Sequence, residues 1–374
     1  MTQQTVPEVP AKVSPLVTVL RVVYFLGLLY LFFSSIELMS AAFKMGGRGL
    51  AEQLLNTASD PVAGMLIGFL ATSLIQSSST TTTIVVGLVA AGTLPIGLAV
   101  PIVMGANIGT TTTNTIVSIG HVTRPAEFER AFAASIVHDY FNVVAAVTIL
   151  PIEILFHPIQ RGAVLLQGMF AGVGGMSLAS PLKLVVSPFA DVVTGLMPRT
   201  IPLVILALAL LFVALRGMMK FMQGVVLHRL EGLFDRVLFR NDFASFGLGV
   251  VTTASVQSSS ATTSLVVPLA GTGVLSLRQI FPYTLGANVG TTVTAILASF
   301  ATGSPAAVTV ALAHLVFNLA AIGIFYPLRA LPIWLAEKSG ALAARSGTST
   351  VSVLVVYIAL HVLPLFYIIW SGNR

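Results

Sequence analysis

The chain has 374 residues, 56% of them hydrophobic and 9% charged, with a mean hydropathy of +0.95. A soluble domain carries about 25% charged residues, so the composition reads as an all-α integral membrane protein, and the net charge of +6 reads as loop and lipid-facing charge rather than a nucleic-acid surface. Cysteine is absent, which excludes disulfides and thiolate metal sites, and continuous rather than alternating apolar runs argue against a β-barrel.

Residues 1–15 are polar and read as a disordered tail. No small-residue cleavage site follows, so the next apolar run is expected to be an anchor helix and not a removed signal. Block 16–60 holds a first span, Leu16 to about Met39, long enough for a core of about 30 Å, and a polar connector with Lys44, Arg48, Glu52 and Asp60. Block 61–156 is a first repeat, with no Lys, Arg, Asp or Glu between Pro61 and Gly120. Its first apolar arm, Gly64–Ile75, covers about 18 Å as a helix, half of a bilayer. Gln76 and the hydroxyl run Ser77–Thr83 follow, then Ile84–Leu94 and a Pro-punctuated run to Met104. Half-length arms meeting at a polar tip read as a re-entrant helical hairpin. A charged loop (Arg124, Glu127, Glu129, Arg130) then leads to a helix over Ala131–Leu150, ended by Pro151.

Block 157–242 is expected to be an inter-repeat linker with one span, Ile201–Leu215, and a basic amphipathic stretch, Arg216–Asp242, lying at a membrane interface. Block 243–331 is a second repeat. Block 332–374 adds a charged connector (Glu337, Lys338, Arg345) and a last span, Val351–Trp370.

The two repeats share an unusual text. Gln76-Ser77-Ser78-Ser79 returns as Gln257-Ser258-Ser259-Ser260, and Gly105-Ala106-Asn107-Ile108-Gly109-Thr110-Thr111 returns as Gly286-Ala287-Asn288-Val289-Gly290-Thr291-Thr292, both 181 residues on (76 to 257, 105 to 286). His138 and Asn142 return as His314 and Asn318, and Pro151 as Pro327, at a shorter offset of 176 (138 to 314). Polar, Gly-broken stretches are costly in lipid unless they line a cavity inside protein. Interrupted apolar segments at matching places in two halves point to a transporter's binding site.

Hydroxyls and carboxamides both donate and accept. Helix N-termini favour anions, while unwound carbonyls and hydroxyl oxygens suit hard cations such as Na⁺. With no Lys or Arg in either tip, a bound anion has to be balanced by co-bound cations and backbone dipoles, which is the logic of a cation-coupled anion symporter. One charge moved through 100 mV costs about 2.3 kcal/mol, so a divalent anion entering a negative cell opposes about 4.6 kcal/mol, and two Na⁺ cancel that charge. Against this stands a structural reading. Ser and Thr in membrane helices often bond a carbonyl one turn back, and Gly105, Gly109, Gly286 and Gly290 can serve close helix packing. Recurrence of the whole pattern favours binding. His138/Asn142 and His314/Asn318 each share a helix face and read as buried hydrogen-bonded pairs more readily than as ligands or a proton relay. Asp139, matched by Leu315 in the second copy, is expected to meet a water-filled crevice or a nearby His rather than a sodium ion.

At these residues the chain resembles the type II sodium-dependent phosphate cotransporter family. The resemblance rests on the paired Gln-Ser-Ser-Ser motifs, the Gly-Ala-Asn-x-Gly-Thr-Thr segments and Val137-His138-Asp139-Tyr140-Phe141-Asn142. It extends to the stretch from Ser180-Pro181-Leu182-Lys183 to Val193 and to Arg329-Ala330-Leu331-Pro332. It runs from about Gly64 to the last span. It implies two inverted-topology repeats, each with a re-entrant hairpin and broken transmembrane helices, cytosolic termini, and symport of Na⁺ with inorganic phosphate, mainly HPO₄²⁻. Phosphate would then meet Ser77, Ser78, Ser79, Ser258, Ser259 and Ser260. Sodium would be shared among Gln76, Gln257, Asn107, Thr110, Asn288, Thr291 and Thr294, with Gly105, Gly286, His138, Asn142, His314 and Asn318 in support; the residues alone do not separate the two sets. Electrogenic animal members carry an Asp shortly after the first tip, where this chain has Ala91-Gly92-Thr93-Leu94. Electroneutral transport, two Na⁺ per HPO₄²⁻, is therefore expected. The short, Cys-free region between the repeats suggests a bacterial inner-membrane protein.

Na⁺ is the one metal expected, as cargo, with no cofactor and no enzyme activity. The alternatives are another small oxyanion as cargo, phosphate export, a passive anion channel or a membrane ion sensor. Oligomeric state is not legible. The basic stretch Arg216–Arg240 favours the cytosolic side, while the charges over Arg329–Arg345 conflict with a cytosolic C-terminus one span later.

Overall fold

The computed structural model describes residues 15–57, 60–110, 112–172, 175–227 and 241–372. Helices make up the architecture, with no strand among the described residues. The tail over 1–14 and the part of the basic stretch over 228–240 lie outside them.

Helix α1 (Pro15–Thr57) contains the first span, and its apolar part reaches Gly47. The connector expected after Met39 is helical as far as Thr57, interrupted at Gly47, where φ is 59°. Helix α2 (Pro61–Ile75) starts where its sequence dictates. The Asp60 carboxylate accepts from the Val62 and Ala63 amides at 2.8 and 2.9 Å, and Pro61 occupies the first turn. Helices α3 (Ser78–Ala90), α4 (Ile96–Ile108) and α5 (Thr112–Ile119) complete the first polar segment.

Helix α6 (Pro125–Phe156) corrects two expectations. The supposed charged loop forms its first turns, because Pro125 is preorganised for the first helical position and Glu127 suits the positive end of the dipole. Pro151 is accommodated inside the helix, which ends instead at His157 in a left-handed conformation, φ 51°. The region expected as a linker is helical too, as α7 (Pro158–Gly172) and α8 (Gly175–Leu196). Helix α9 (Thr200–Met222) outlasts the expected span, carrying Arg216 and Lys220, and passes into a π turn, Gln223–Leu227. Then follow α10 (Asp242–Val256), α11 (Ser259–Thr263), α12 (Val266–Gly271), α13 (Leu277–Thr302) and α14 (Pro305–Phe325). The charged connector is helix α15 (Ala330–Ala344), and α16 (Gly347–Gly372) is last.

Among the described residues, seven segments are long and apolar enough to cross a membrane: Leu16–Gly47, Ile96–Ile119, Pro125–Phe156, Thr200–Val225, Leu277–Thr302, Pro305–Phe325 and Gly347–Ile368. The chain is thus a multi-pass membrane protein. Helices α2, α3 and α10 are apolar but short; the 15 residues of α2 reach about 22 Å. Burial separates centre from periphery. The most apolar window is 75% buried in Ile96–Ile119 and 72% in Leu277–Thr302, against 6% in the C-terminal span. Both copies of the Gly-Ala-Asn segment therefore lie in the interior, while Val351, Val355 and Ile358 of α16 face outward.

Two apolar clusters brace this interior. One joins Phe32, Ile36 and Met39 of α1 to Val86 of α3, Leu203 and Leu211 of α9 and Val310 of α14. The other joins Phe132 and Phe141 of α6 to Met104, Phe281, Phe317 and Ile333, with Phe141 and Phe281 edge to face at 5.9 Å. Glycine sets the closest approaches. A Cβ on Gly105 would fall 1.8 Å from the Met65 carbonyl oxygen, and one on Gly286 would fall 2.1 Å from that of Phe246. Each hairpin's first helix thus lies backbone against backbone on the central helix of its own half.

Candidate functional site

The site is built from two tips. Gln76 (φ 59°, ψ 30°) and Gln257 (φ 60°, ψ 24°) both end a helix in the left-handed conformation, which is uncommon outside glycine. The next residue in each copy, Ser77 or Ser258, is extended and caps the following helix. The Oγ of Ser77 accepts from the Thr80 amide, and that of Ser258 from the Ala261 amide, both at 3.2 Å. Ser78, Ser79, Ser259 and Ser260 follow, all buried.

Each tip is clamped to its own half. The Gln76 amide donates to the Ser73 carbonyl, and the Gln257 amide to the Ala254 carbonyl. Their oxygens accept from Thr113 (3.3 Å) and Thr294 (2.5 Å). The hairpin arms are pinned by Thr72–Thr81 (3.0 Å) in one half and Thr253–Thr262 (2.7 Å) in the other. Thr113, Thr72 and Thr253 escaped the sequence reading. The signal was available: Thr113 lies 181 residues before Thr294, and Thr72 and Thr81 lie the same distance before Thr253 and Thr262.

The tips also meet one another. Ser79 Oγ donates to the Gln257 carbonyl at 3.4 Å, Ser260 Oγ to the Thr110 carbonyl at 2.8 Å, and the Asn114 amide to Thr263 Oγ1 at 2.9 Å. Thr110 and Thr291 turn their hydroxyls back onto helix carbonyls, those of Ala106 and Asn107 for Thr110 and that of Ala287 for Thr291.

Beneath the tips lies a buried network that crosses between halves. His138 Nε2 is 2.6 Å from Asn288 Oδ1, and the Asn288 amide donates to Asn142 Oδ1 at 2.7 Å. Reciprocally, His314 Nε2 is 2.8 Å from Asn107 Oδ1, and the Asn107 amide donates to Asn318 Oδ1 at 2.9 Å. An amide oxygen only accepts, so both imidazoles carry their proton on Nε2. Each His/Asn pair is therefore hydrogen-bonded, with its main partner being the Asn of the opposite half. Asn142 additionally donates to the Asn107 carbonyl, whereas Asn318 donates to the carbonyl of His314. Asp139 is not joined to His138; it accepts from Tyr357 at 3.2 Å.

The halves are not in the same conformation. The central helix of the first half stops at Ile108 and resumes at Thr112, while α13 runs unbroken past Gly290. Conversely, α3 is continuous, while its counterpart is split into α11 and α12. Gln76 is exposed and Gln257 only half-exposed.

The family model described as Na⁺/Pi-cotransporter matches residues 31–179 and 210–364, so each matched segment contains one tip and one central helix. The chain belongs to the Na⁺/Pi-cotransporter family. It is 30% identical to the sodium-dependent phosphate transport protein 2A of Ovis aries, over 96% of this chain and 69% of that protein. Against the 2A protein of Rattus norvegicus the identity is 30%, over 99% and 71%, and against the human 2B protein 29%, over 95% and 66%. No solved structure matches the chain. The family is one of transporters, with Na⁺ and phosphate as its named cargo.

Proposed function

We propose that this transporter is a symporter of Na⁺ and inorganic phosphate in a bacterial inner membrane, working by alternating access between two inverted-topology repeats, 61–156 and 243–331. In this reading α2–α3 and α10–α11 are re-entrant hairpins. Phosphate binds among Ser77–Ser79 and Ser258–Ser260, where the hydroxyls can donate to oxyanion oxygens. Sodium takes oxygens from Gln76, Gln257, Thr110, Thr291 and Thr294. Asn107 and Asn288, whose side-chain oxygens accept from His314 and His138, serve the sodium sites by fixing the two central helices.

The observation that carries this reading is the contact of two equivalent, uncharged, hydroxyl-rich tips in the protein interior, Ser79 against Gln257. Polar backbone breaks at that depth are tolerated where they line a site. The unequal helix breaks support alternating access, since two repeats that exchange roles should be unlike each other in any one state.

Radiolabelled phosphate uptake into proteoliposomes, with an inward Na⁺ gradient against K⁺, tests the proposal. Concentrative, Na⁺-dependent uptake is expected. Uptake that ignores Na⁺ would favour a channel, and competition by unlabelled sulfate at equal strength would move the cargo to another oxyanion.

A further inference from the structure

A second cavity lies away from the tips, between α2, α6, α15 and α16. It measures about 560 Å³, within the ~300–1,000 Å³ of small-molecule sites. Its walls are mostly apolar, with aromatic rings from Phe69, Phe132, Tyr140 and Tyr357, and no Lys or Arg lines it. Two buried polar atoms on lining residues have no hydrogen-bond partner: Asp139 Oδ1 and His361 Nε2.

The identity of these two atoms specifies what they lack. His361 Nδ1 is 2.8 Å from the Tyr357 carbonyl oxygen one turn back. A carbonyl only accepts, so Nδ1 carries the proton and Nε2 of the neutral ring presents a lone pair. Asp139 Oδ2 is occupied by the Tyr357 hydroxyl, leaving Oδ1 to accept. The cavity thus offers two acceptors. A carboxylate left alone in apolar surroundings is costly, and an ionisable group at membrane depth marks a site more often than a packing accident. The His361 ring is flanked by Tyr357 and Phe69, at ring separations of 4.4 and 5.1 Å. Aromatic faces beside a carboxylate are the chemistry that receives an organic ammonium.

We propose that this cavity is a binding site for amphipathic amines, an N–H-bearing ammonium held by Asp139 and His361 with its apolar body among the aromatic and aliphatic walls. The site is independent of the phosphate reading, and its occupant would press on α2 and α4 through Met65, Phe69 and Ile108.

The test uses purified full-length protein in detergent and reads its thermal unfolding midpoint against 4-phenylbutylammonium, with 4-phenylbutanol and 4-phenylbutyrate as controls of equal apolar body. A saturable rise is expected with the ammonium alone. Asp139→Asn, checked as monodisperse, should raise the half-saturating concentration about thirtyfold or more, the loss expected when a buried charged partner is removed. Val143→Phe, one helical turn from Asp139 on the same face, should block the response while leaving the carboxylate in place, and it decides the matter if Asp139→Asn does not fold. Equal shifts by the alcohol and the ammonium in the unaltered protein would overturn the proposal. So would an undiminished ammonium response in either variant.

Discussion

His138 of the first half lies 2.6 Å from Asn288 of the second, and His314 of the second half returns the same contact to Asn107 of the first. Both bonds are buried, so removing one partner leaves an unsatisfied amide oxygen in the interior. His138→Ala should cost about 1–3 kcal/mol of stability. A double-mutant cycle with Asn288→Ala should give a coupling of about 0.5–3 kcal/mol, measured by thermal unfolding in detergent. Strict additivity of the two variants would refute the contact.

Gln257 combines a left-handed backbone with a side chain clamped to Thr294 and to its own helix end. Gln257→Ala should abolish Na⁺-coupled phosphate uptake while leaving membrane insertion intact. Full uptake by this variant at unchanged Na⁺ dependence would remove Gln257 from the proposed sodium set. Thr294→Val, which keeps shape but loses the hydroxyl, should reproduce the defect in part.

Gly286 has no room for a methyl group, whereas a Cβ on Gly247 would meet open space. Gly286→Ala should destabilise by about 1–3 kcal/mol or more, the usual cost of overpacking. Gly247→Ala should be near neutral or slightly stabilising, as Ala is the better helix former. The pair can be compared by melting temperature, and equal behaviour would contradict the backbone-on-backbone packing of α10 and α13.

The stretch Ala91-Gly92-Thr93-Leu94 has no carboxylate to hold a further cation. Phosphate uptake should therefore carry no net charge. Proteoliposomes with valinomycin-clamped potentials should show equal uptake at 0 and −100 mV. Uptake that rises with inside-negative potential would indicate an extra sodium ion per cycle.

Much of this architecture was legible because it is local or repeated. Asp60-Pro61 announces the start of α2, and a 181-residue echo announces two copies of one polar segment. Helix extents were less legible where a signal has two meanings. Arg124 to Arg130 reads as a loop by charge, yet Pro125 and Glu127 are also helix-start residues, and that reading prevails. Pro151 reads as a stop, but a helix packed among others tolerates it. The crossing of partners was not legible at all. His138 and Asn142 share a face at i and i+4, which suggests each other, whereas their main partners come from the opposite half. Cavity and tip contacts such as Asp139–Tyr357 and Ser79–Gln257 join residues about 200 positions apart, which no periodicity encodes.

Reciprocal His–Asn bonding has a consequence for how the chain is made. When the ribosome has delivered only the first half, Asn107 has no His314 or Asn318 to meet, and His138 has no Asn288. The early helices can enter the bilayer, but their polar interior stays unsealed until the late ones arrive. Completion of the first half therefore waits on synthesis of the second, and the two mature as one unit.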